Sequence, residues 1–213
     1  MTIHFLHTNV SGLQVSLQKV DGGTAECKIR HNSSIQMAVE FTALKSPNQA
    51  FPELGEQVLS LAESLKAQLH CKSKDFERAC VLGTSSSVAQ EVISTPAQEL
   101  GFASEKKGLF SDYTTSGLRP DFYLPISSTG VLLEVERGKT LPNNMDLLDL
   151  WKTHICSRAH FLFLFVPFFN VRSNGNETVY ETVVGRLESF FNESNSVNVD
   201  ATYIFGYGPK GTS

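Results

Sequence analysis

The chain has 213 residues and carries 18 Lys+Arg against 22 Asp+Glu, a formal net charge of −4. That length holds one large domain, or one domain with a smaller appendage, and 41% hydrophobic with 19% charged residues excludes wholesale disorder. The acidic balance excludes a polybasic, histone-like nucleic-acid binder, but not a cleft that meets phosphate through a cation held by acids. None of Cys27, Cys71, Cys80 and Cys156 forms a C-x-x-C pair, and no His stands at zinc-finger spacing from them, so neither a disulfide framework nor structural zinc is expected. The N-terminus has no basic segment followed by a long apolar stretch. The longest apolar run, FLFLFVPFF (161–169), is far short of the roughly 20 residues that span a bilayer. A soluble, reduced, cytoplasmic protein is expected, with no membrane partner.

In chain order, the first fifty residues read as antiparallel β. Leu13, Val15 and Leu17 alternate with polar residues, as do Ile35, Met37, Val39 and Phe41, with turn clusters at DGG (21–23) and HNSS (31–34). One buried and one wetted face is the simple reading. A helix starts near Pro52, with Leu54, Val58, Leu61, Leu65 and Leu69 on one stripe. Segment 71–83 is ambiguous. TSSS (84–87) offers caps for a helix carrying Val88, Val92 and Ile93, which Pro96 is expected to kink or restart and which ends near Gly101. A short strand lies within 102–110. RPDFYLP (119–125) and GVLLEVERG (130–138), joined by SSTG, read as a hairpin. Residues 143–158 read as a helix with Leu147, Leu148, Trp151 and Ile155 as its apolar positions. The run 161–169 is apolar on both faces, as a central strand covered on both sides must be, which makes its aromatics core and not a base-stacking platform. A helix over about 176–192 and a strand over 201–208 close the chain. His154 and His160 are given structural roles.

From residue 84 the order is α-β-β-β-α-β, a mixed α/β arrangement of a mixed sheet between helices, preceded by the antiparallel β region. Two domains are expected, 1–83 and 84–213.

Chemistry concentrates in RPDFYLPISSTGVLLEVERGK. Asp121 starts one strand. Glu134 and Glu136 stand two apart on the next, so both point to one face. A hairpin brings Asp121 beside them. Three converging carboxylates repel one another unless a cation intervenes, and a hard divalent ion takes such oxygen ligands. Acidic pairs at this spacing usually mark a solvated strand face, but Val131, Leu132, Leu133 and Val135 surround this pair.

Pro120-Asp121, a turn, a strand with E-x-E, then a helix and an apolar strand resemble the PD-(D/E)XK nuclease superfamily, which includes restriction endonucleases, Holliday-junction resolvases and repair nucleases. The resemblance covers roughly residues 84–169 and leaves the N-terminal region unmatched. It implies the restriction-endonuclease-like α-β-β-β-α-β core. It also implies that Asp121 and Glu134, with the carbonyl of Val135, hold Mg²⁺ (or Mn²⁺). Glu136 stands where most members have lysine, although some restriction enzymes carry glutamate there. Glu91 resembles the helix glutamate of resolvase-like members, with Glu99 as competitor. Lys139 and Lys152 are the two local replacements for the missing lysine. Lys152 lies four residues after Leu148 and three before Ile155, so it is expected on their face, turned to the sheet. Some families of this fold carry the lysine on that helix.

The implied function is a Mg²⁺-dependent endonuclease that hydrolyses phosphodiester bonds, DNA first, with Glu136 as general base or ligand to a second metal. A homodimer is expected where both strands of a duplex are cut. The alternatives are a catalytically idle nuclease-fold module that binds nucleic acid or a protein, and a paired-carboxylate hydrolase such as a glycosidase. The N-terminal region would serve recognition, dimerisation or docking.

Overall fold

The computed structural model describes residues 9–10, 13–18, 26–31, 36–81, 83–104, 108–114, 118–172, 175–194 and 197–210. The chain forms two compact units, Met1–Gln36 with Lys210–Ser213, and Met37–Pro209. The first contains a three-stranded antiparallel sheet of β1 (Asn9–Val10), β2 (Leu13–Gln18) and β3 (Glu26–His31), with Val15 opposite Ile29. The turn expected at 21–23, residues 32–34 of the one expected at 31–34, and the alternating burial of Leu13, Val15 and Leu17 lie outside the described residues; His31 is the last residue of β3.

The second unit is built on a six-stranded sheet. Its elements in chain order are β4 (Gln36–Lys45), α1 (Gly55–Cys71), α2 (Phe76–Ala79), α3 (Ser86–Glu99), β5 (Ala103–Ser104), β6 (Phe122–Ile126), β7 (Thr129–Val135), α4 (Met145–Ile155), β8 (Phe161–Pro167), β9 (Phe169–Arg172), β10 (Gly175–Thr178), α5 (Tyr180–Glu188) and β11 (Ala201–Lys210). The spatial order is β4-β11-β8-β7-β6-β5. β8 runs parallel to both β7 and β11, whereas β6 is antiparallel to β7 and β5, so the sheet is mixed. The order α-β-β-β-α-β expected from residue 84 is present as α3, β5, β6, β7, α4 and β8.

Every residue of β7 and β8 is buried, because helices cover both faces. On one face Val131, Leu133, Val135, Phe161, Phe163 and Phe165 pack with residues of α1, α2 and α3. On the other, Leu132, Leu162, Leu164 and Val166 pack with Leu150 of α4 and with Val183 and Leu187 of α5. The strand period of two assigns odd positions of β7 to the first layer and even ones to the second. Glu134 follows Leu132 on the α4 side. The aromatics of 161–165 are core.

The domain boundary expected between residues 83 and 84 falls inside this unit. Val58, Ala62, Leu65 and Leu69 of α1 share one core with Ala89, Ile93 and Ala97 of α3, and β4 is an edge strand of the same sheet. The apolar stripe of α1 needs a sheet face, and it is buried on the one that α3 also covers.

Pro96 does not restart its helix, which ends beside Gly101 as expected. It lies inside α3, which runs on to Glu99. The end is set by Gly101, in the left-handed region at φ 94°. Phe102 N–H donates to Ala97 C=O at 3.0 Å and Gly101 N–H to Gln98 C=O at 2.9 Å, the paired bonds of a Schellman ending. The run 161–169 is also not one strand. It breaks at Phe168 and turns into the β9–β10 hairpin, which shortens the following helix to Tyr180–Glu188.

Candidate active site

The β6–β7 hairpin turns on two residues. Ile126 pairs with Thr129, and Ser127 takes φ 51° between them. The register places Phe122 opposite Leu133, which leaves Asp121 just before β6 and level with the C-terminal end of β7. Two bonds cross-link them: Asp121 N–H donates to Glu134 Oε2 at 3.2 Å, and Val135 N–H donates to Asp121 Oδ2 at 2.8 Å. Gln90 of α3 adds a side-chain hydrogen bond to Asp121.

The other half of the site comes from α4. Lys152 Nζ donates to Glu134 Oε1 at 2.6 Å, to Asp149 Oδ1 at 3.0 Å and to the Arg119 carbonyl at 3.5 Å. Those three acceptors match the three donors of an ammonium. The 2.6 Å contact has the length of a charge-assisted bond. Glu134, Asp149 and Lys152 are all buried.

Burying acids this close together disfavours their charge. Glu134 is held well above the usual carboxylate range by burial first and then by Asp149 and Asp121, with Lys152 opposing. Burial, Asp149 and Asp121 push Glu136 up to about 8. Asp149 rises to about 6 through burial, again opposed by Lys152. Asp121 is raised by burial, against its bonds from Val135 and Gln90. Burial pulls the Lys152 ammonium down, but the charges of Glu134 and Asp149 outweigh it and raise its pKa.

The expected site residues separate into two groups. Asp121, Glu134, Val135 and Lys152 are joined by the contacts above, and Glu136 lies within their electrostatic reach. Lys139 is exposed on the turn after β7, and its N–H bonds Arg137 C=O at 2.8 Å. Glu91 and Glu99 are exposed on α3. The residue that α3 turns toward Asp121 is Gln90, one position earlier. A one-residue step on a helix rotates a side chain by about 100°, so the two neighbours cannot share a face.

The inner face of α4 also differs from expectation. It buries Asp146, Asp149, Leu150, Lys152 and Thr153, whereas Leu148 and Trp151 are 40% and 43% exposed. Lys152 therefore does not share an inward face with Leu148. The stripe 146, 149, 150, 153 has helical spacing but carries polar residues, because the strand beneath presents Glu134 and Lys152 has acids to pair with. Asp146 is buried against Arg186, with its Oδ2 3.4 Å from Arg186 Nε. Asp149 and Gln90 were not singled out from the sequence; the one signal was an acid three residues before the lysine, on the same helical face. His154 and His160 make structural bonds: His154 Nδ1 accepts from Asn198 N–H at 2.8 Å, and His160 Nδ1 lies 2.7 Å from Thr129 Oγ1.

Among the described residues no three acidic, His or Cys side chains converge closely enough to hold a metal ion as they stand. The donor set still suits a hard divalent cation in kind. It offers carboxylate oxygens, acids that disfavour one another's charge, and a buried acceptor, Asp149 Oδ2, with no hydrogen-bond partner. Among the described residues no helix is long and apolar enough to cross a membrane.

No protein-family model matches the chain. No curated protein matches it either. Among solved structures it is similar to the restriction endonuclease BglII complexed with a DNA 16-mer, at 14% identity and a TM-score of 0.47, over 83% of this chain and 81% of that one.

Proposed function

We propose that this protein is a divalent-cation-dependent nuclease that hydrolyses phosphodiester bonds, with DNA as its first substrate. The observation that carries this reading is the convergence of Asp121, Glu134 and Lys152 at the end of a buried strand, with Lys152 Nζ 2.6 Å from Glu134. A structural ion pair does not need three further acids around it, whereas phosphoryl transfer needs both acids and a positive group.

Asp121 and Glu134, with the Val135 carbonyl, would hold Mg²⁺ or Mn²⁺. When bound, such an ion supplies Lewis-acid polarisation of a phosphoryl oxygen and a water of lowered pKa. The protein's own groups do the rest. Gln90 and the Val135 N–H keep the Asp121 carboxylate turned to the strand end. The Lys152 ammonium faces the negative charge that builds on the phosphorus oxygens. Glu136, poised at about 8, accepts the proton of the attacking water as that oxygen bonds to phosphorus and the bond to the leaving sugar oxygen breaks. The N-terminal β-rich region is assigned to recognition or docking, and a homodimer to double-strand cleavage.

The test is incubation of labelled duplex DNA, single-stranded DNA and RNA with Mg²⁺, Mn²⁺ or EDTA. Cleavage that needs the ion and is lost in Glu134→Ala supports the reading. Glutamate at position 136 favours a second one, an idle nuclease-fold module. Nucleic-acid binding without cleavage under every ion would select it.

A further inference from the structure

We infer that Tyr207 of β11 is a positioning residue for Glu136: its hydroxyl replaces the backbone donor that Pro167 takes out of the sheet beside the candidate site. The consequence for cleavage rests on the nuclease reading above; the positioning itself does not.

Glu136 stands one residue past β7, where the pairing with β6 no longer holds it. Its N–H still donates to Phe165 C=O of β8, at 2.8 Å. In a parallel ladder the residues of one strand that bond a given neighbour recur every second position. Phe165 is such a residue, so the next is 167, whose N–H would donate to Glu136 C=O. That residue is Pro167, and proline has no N–H. The Glu136 carbonyl therefore loses its ladder donor at the end of two wholly buried strands, and an unmade hydrogen bond there is costly.

The Tyr207 hydroxyl donates to that carbonyl instead, at 3.0 Å. Tyr207 pairs with Pro167 in the register of β11 with β8, so the proline that removes the donor and the side chain that supplies one are sheet neighbours. Tyr207 is fully buried, with its ring stacked on Phe76 at 4.9 Å. For packing alone phenylalanine would fill the same space without a polar atom to satisfy. The next residue is also tied down, because the Arg137 guanidinium donates to the Val81 and Thr84 carbonyls. Together these bonds fix the main chain on both sides of the Glu136 side chain, within electrostatic reach of Asp149, Asp121 and Lys152.

The test is amide hydrogen exchange on the metal-free protein, with steady-state cleavage of DNA under Mg²⁺, for four proteins. They are wild type, Tyr207→Phe, Tyr207→Phe with Pro167→Ala, and the control Ile204→Val, a core change elsewhere on β11. Tyr207→Phe keeps the ring and removes only the hydroxyl. Exchange at the Glu136 N–H is expected to rise at least roughly fivefold relative to Leu133 N–H, as the loss of one hydrogen bond predicts. The kcat should fall roughly tenfold with KM within about twofold, the pattern of a misplaced group that acts in the transition state. Adding Pro167→Ala returns the backbone donor and should restore most of the Glu136 protection. Ile204→Val should change neither the exchange ratio nor kcat. Unchanged relative exchange at Glu136, or an unchanged kcat, in Tyr207→Phe overturns the positioning role. So does an equal rise at Glu136 and Leu133, the mark of a purely structural loss. Protection that Pro167→Ala does not restore overturns the replacement of a ladder donor. If wild type cuts no nucleic acid, the nuclease reading falls, while the exchange ratio still decides whether Tyr207 positions Glu136.

Discussion

Lys152 on α4 and Glu134 on β7 form a buried ion pair, Nζ to Oε1, across 2.6 Å and 18 residues of sequence. Neither group is at ease alone. Lysine and glutamate are almost never fully buried unless paired, and removing one partner strands the other. The pair thus links the geometry of the candidate site to stability.

Lys152→Met is expected to lower the single-turnover cleavage rate at least roughly 100-fold, the lower end for a positioned charged group. Lys139→Met, at an exposed turn, should leave the rate within about twofold of wild type. Lys152→Met should also cost about 3 kcal/mol of unfolding free energy at pH 8. The cost should shrink at pH 5. The lysine charge is constant over this range, but Asp149, raised to about 6, is mostly protonated at pH 5 and no longer needs the ammonium. Urea denaturation at the two pH values reads this.

Glu136 makes stability fall as pH rises. Its folded pKa of about 8 exceeds the ordinary 4.5. Its contribution is therefore complete below pH 4.5 and is lost progressively up to pH 8. The upper bound over that window is about 5 kcal/mol. Glu136→Gln should flatten the pH dependence of unfolding between pH 5 and 8 and be more stable than wild type at pH 8. A variant whose pH profile overlays wild type would show that Glu136 ionises freely.

Mn²⁺ should raise the melting temperature of wild type and much less that of Asp121→Asn. A ligand confined to the folded state adds roughly 2.7 kcal/mol at 100 times its dissociation constant. Equal shifts in the two proteins would remove Asp121 from the ion site.

Gln90→Ala should slow cleavage by roughly tenfold through a misplaced Asp121 carboxylate, whereas exposed Glu91→Ala should change it by less than about twofold. A larger loss from Glu91→Ala would reverse this assignment. Single-turnover rates under saturating Mg²⁺ separate the two.

Gly130→Ala should destabilise the hairpin that carries Asp121 and Glu134. A Cβ at Gly130 would meet the Tyr123 ring and lie 2.7 Å from the Leu124 carbonyl oxygen, a backbone atom that cannot rotate away. About 1–3 kcal/mol is the usual cost of such overpacking, measured as a lowered urea midpoint.

Local pattern carried the element order from α3 to β8. The apolar run around Glu134, the SSTG turn and the unbroken run at 161–165 each agree with their own strand, and side-chain alternation alone puts Glu134 and Glu136 on one face. The acidic hairpin was legible for the same reason: Asp121 and Glu134 are brought together by a two-residue turn, a short-range event. What lies on the far side of that face was not legible. Helical periodicity marks which residues share a stripe but not which stripe turns inward: Lys152 turns to the sheet as its sequence position led us to expect, but Leu148 and Trp151, expected beside it, are exposed, and Asp149, which was not expected, is buried. The inward stripe was chosen by its partner, because a buried Glu134 is tolerated only where an ammonium can reach it. The same holds for Gln90 over Glu91. A rotation of about 100° separates them on α3, and only the packing of α3 against the sheet decides which one meets Asp121. The register of α1 and β4 with the core is likewise non-local, since any apolar stripe can cover any sheet face until the chain is assembled.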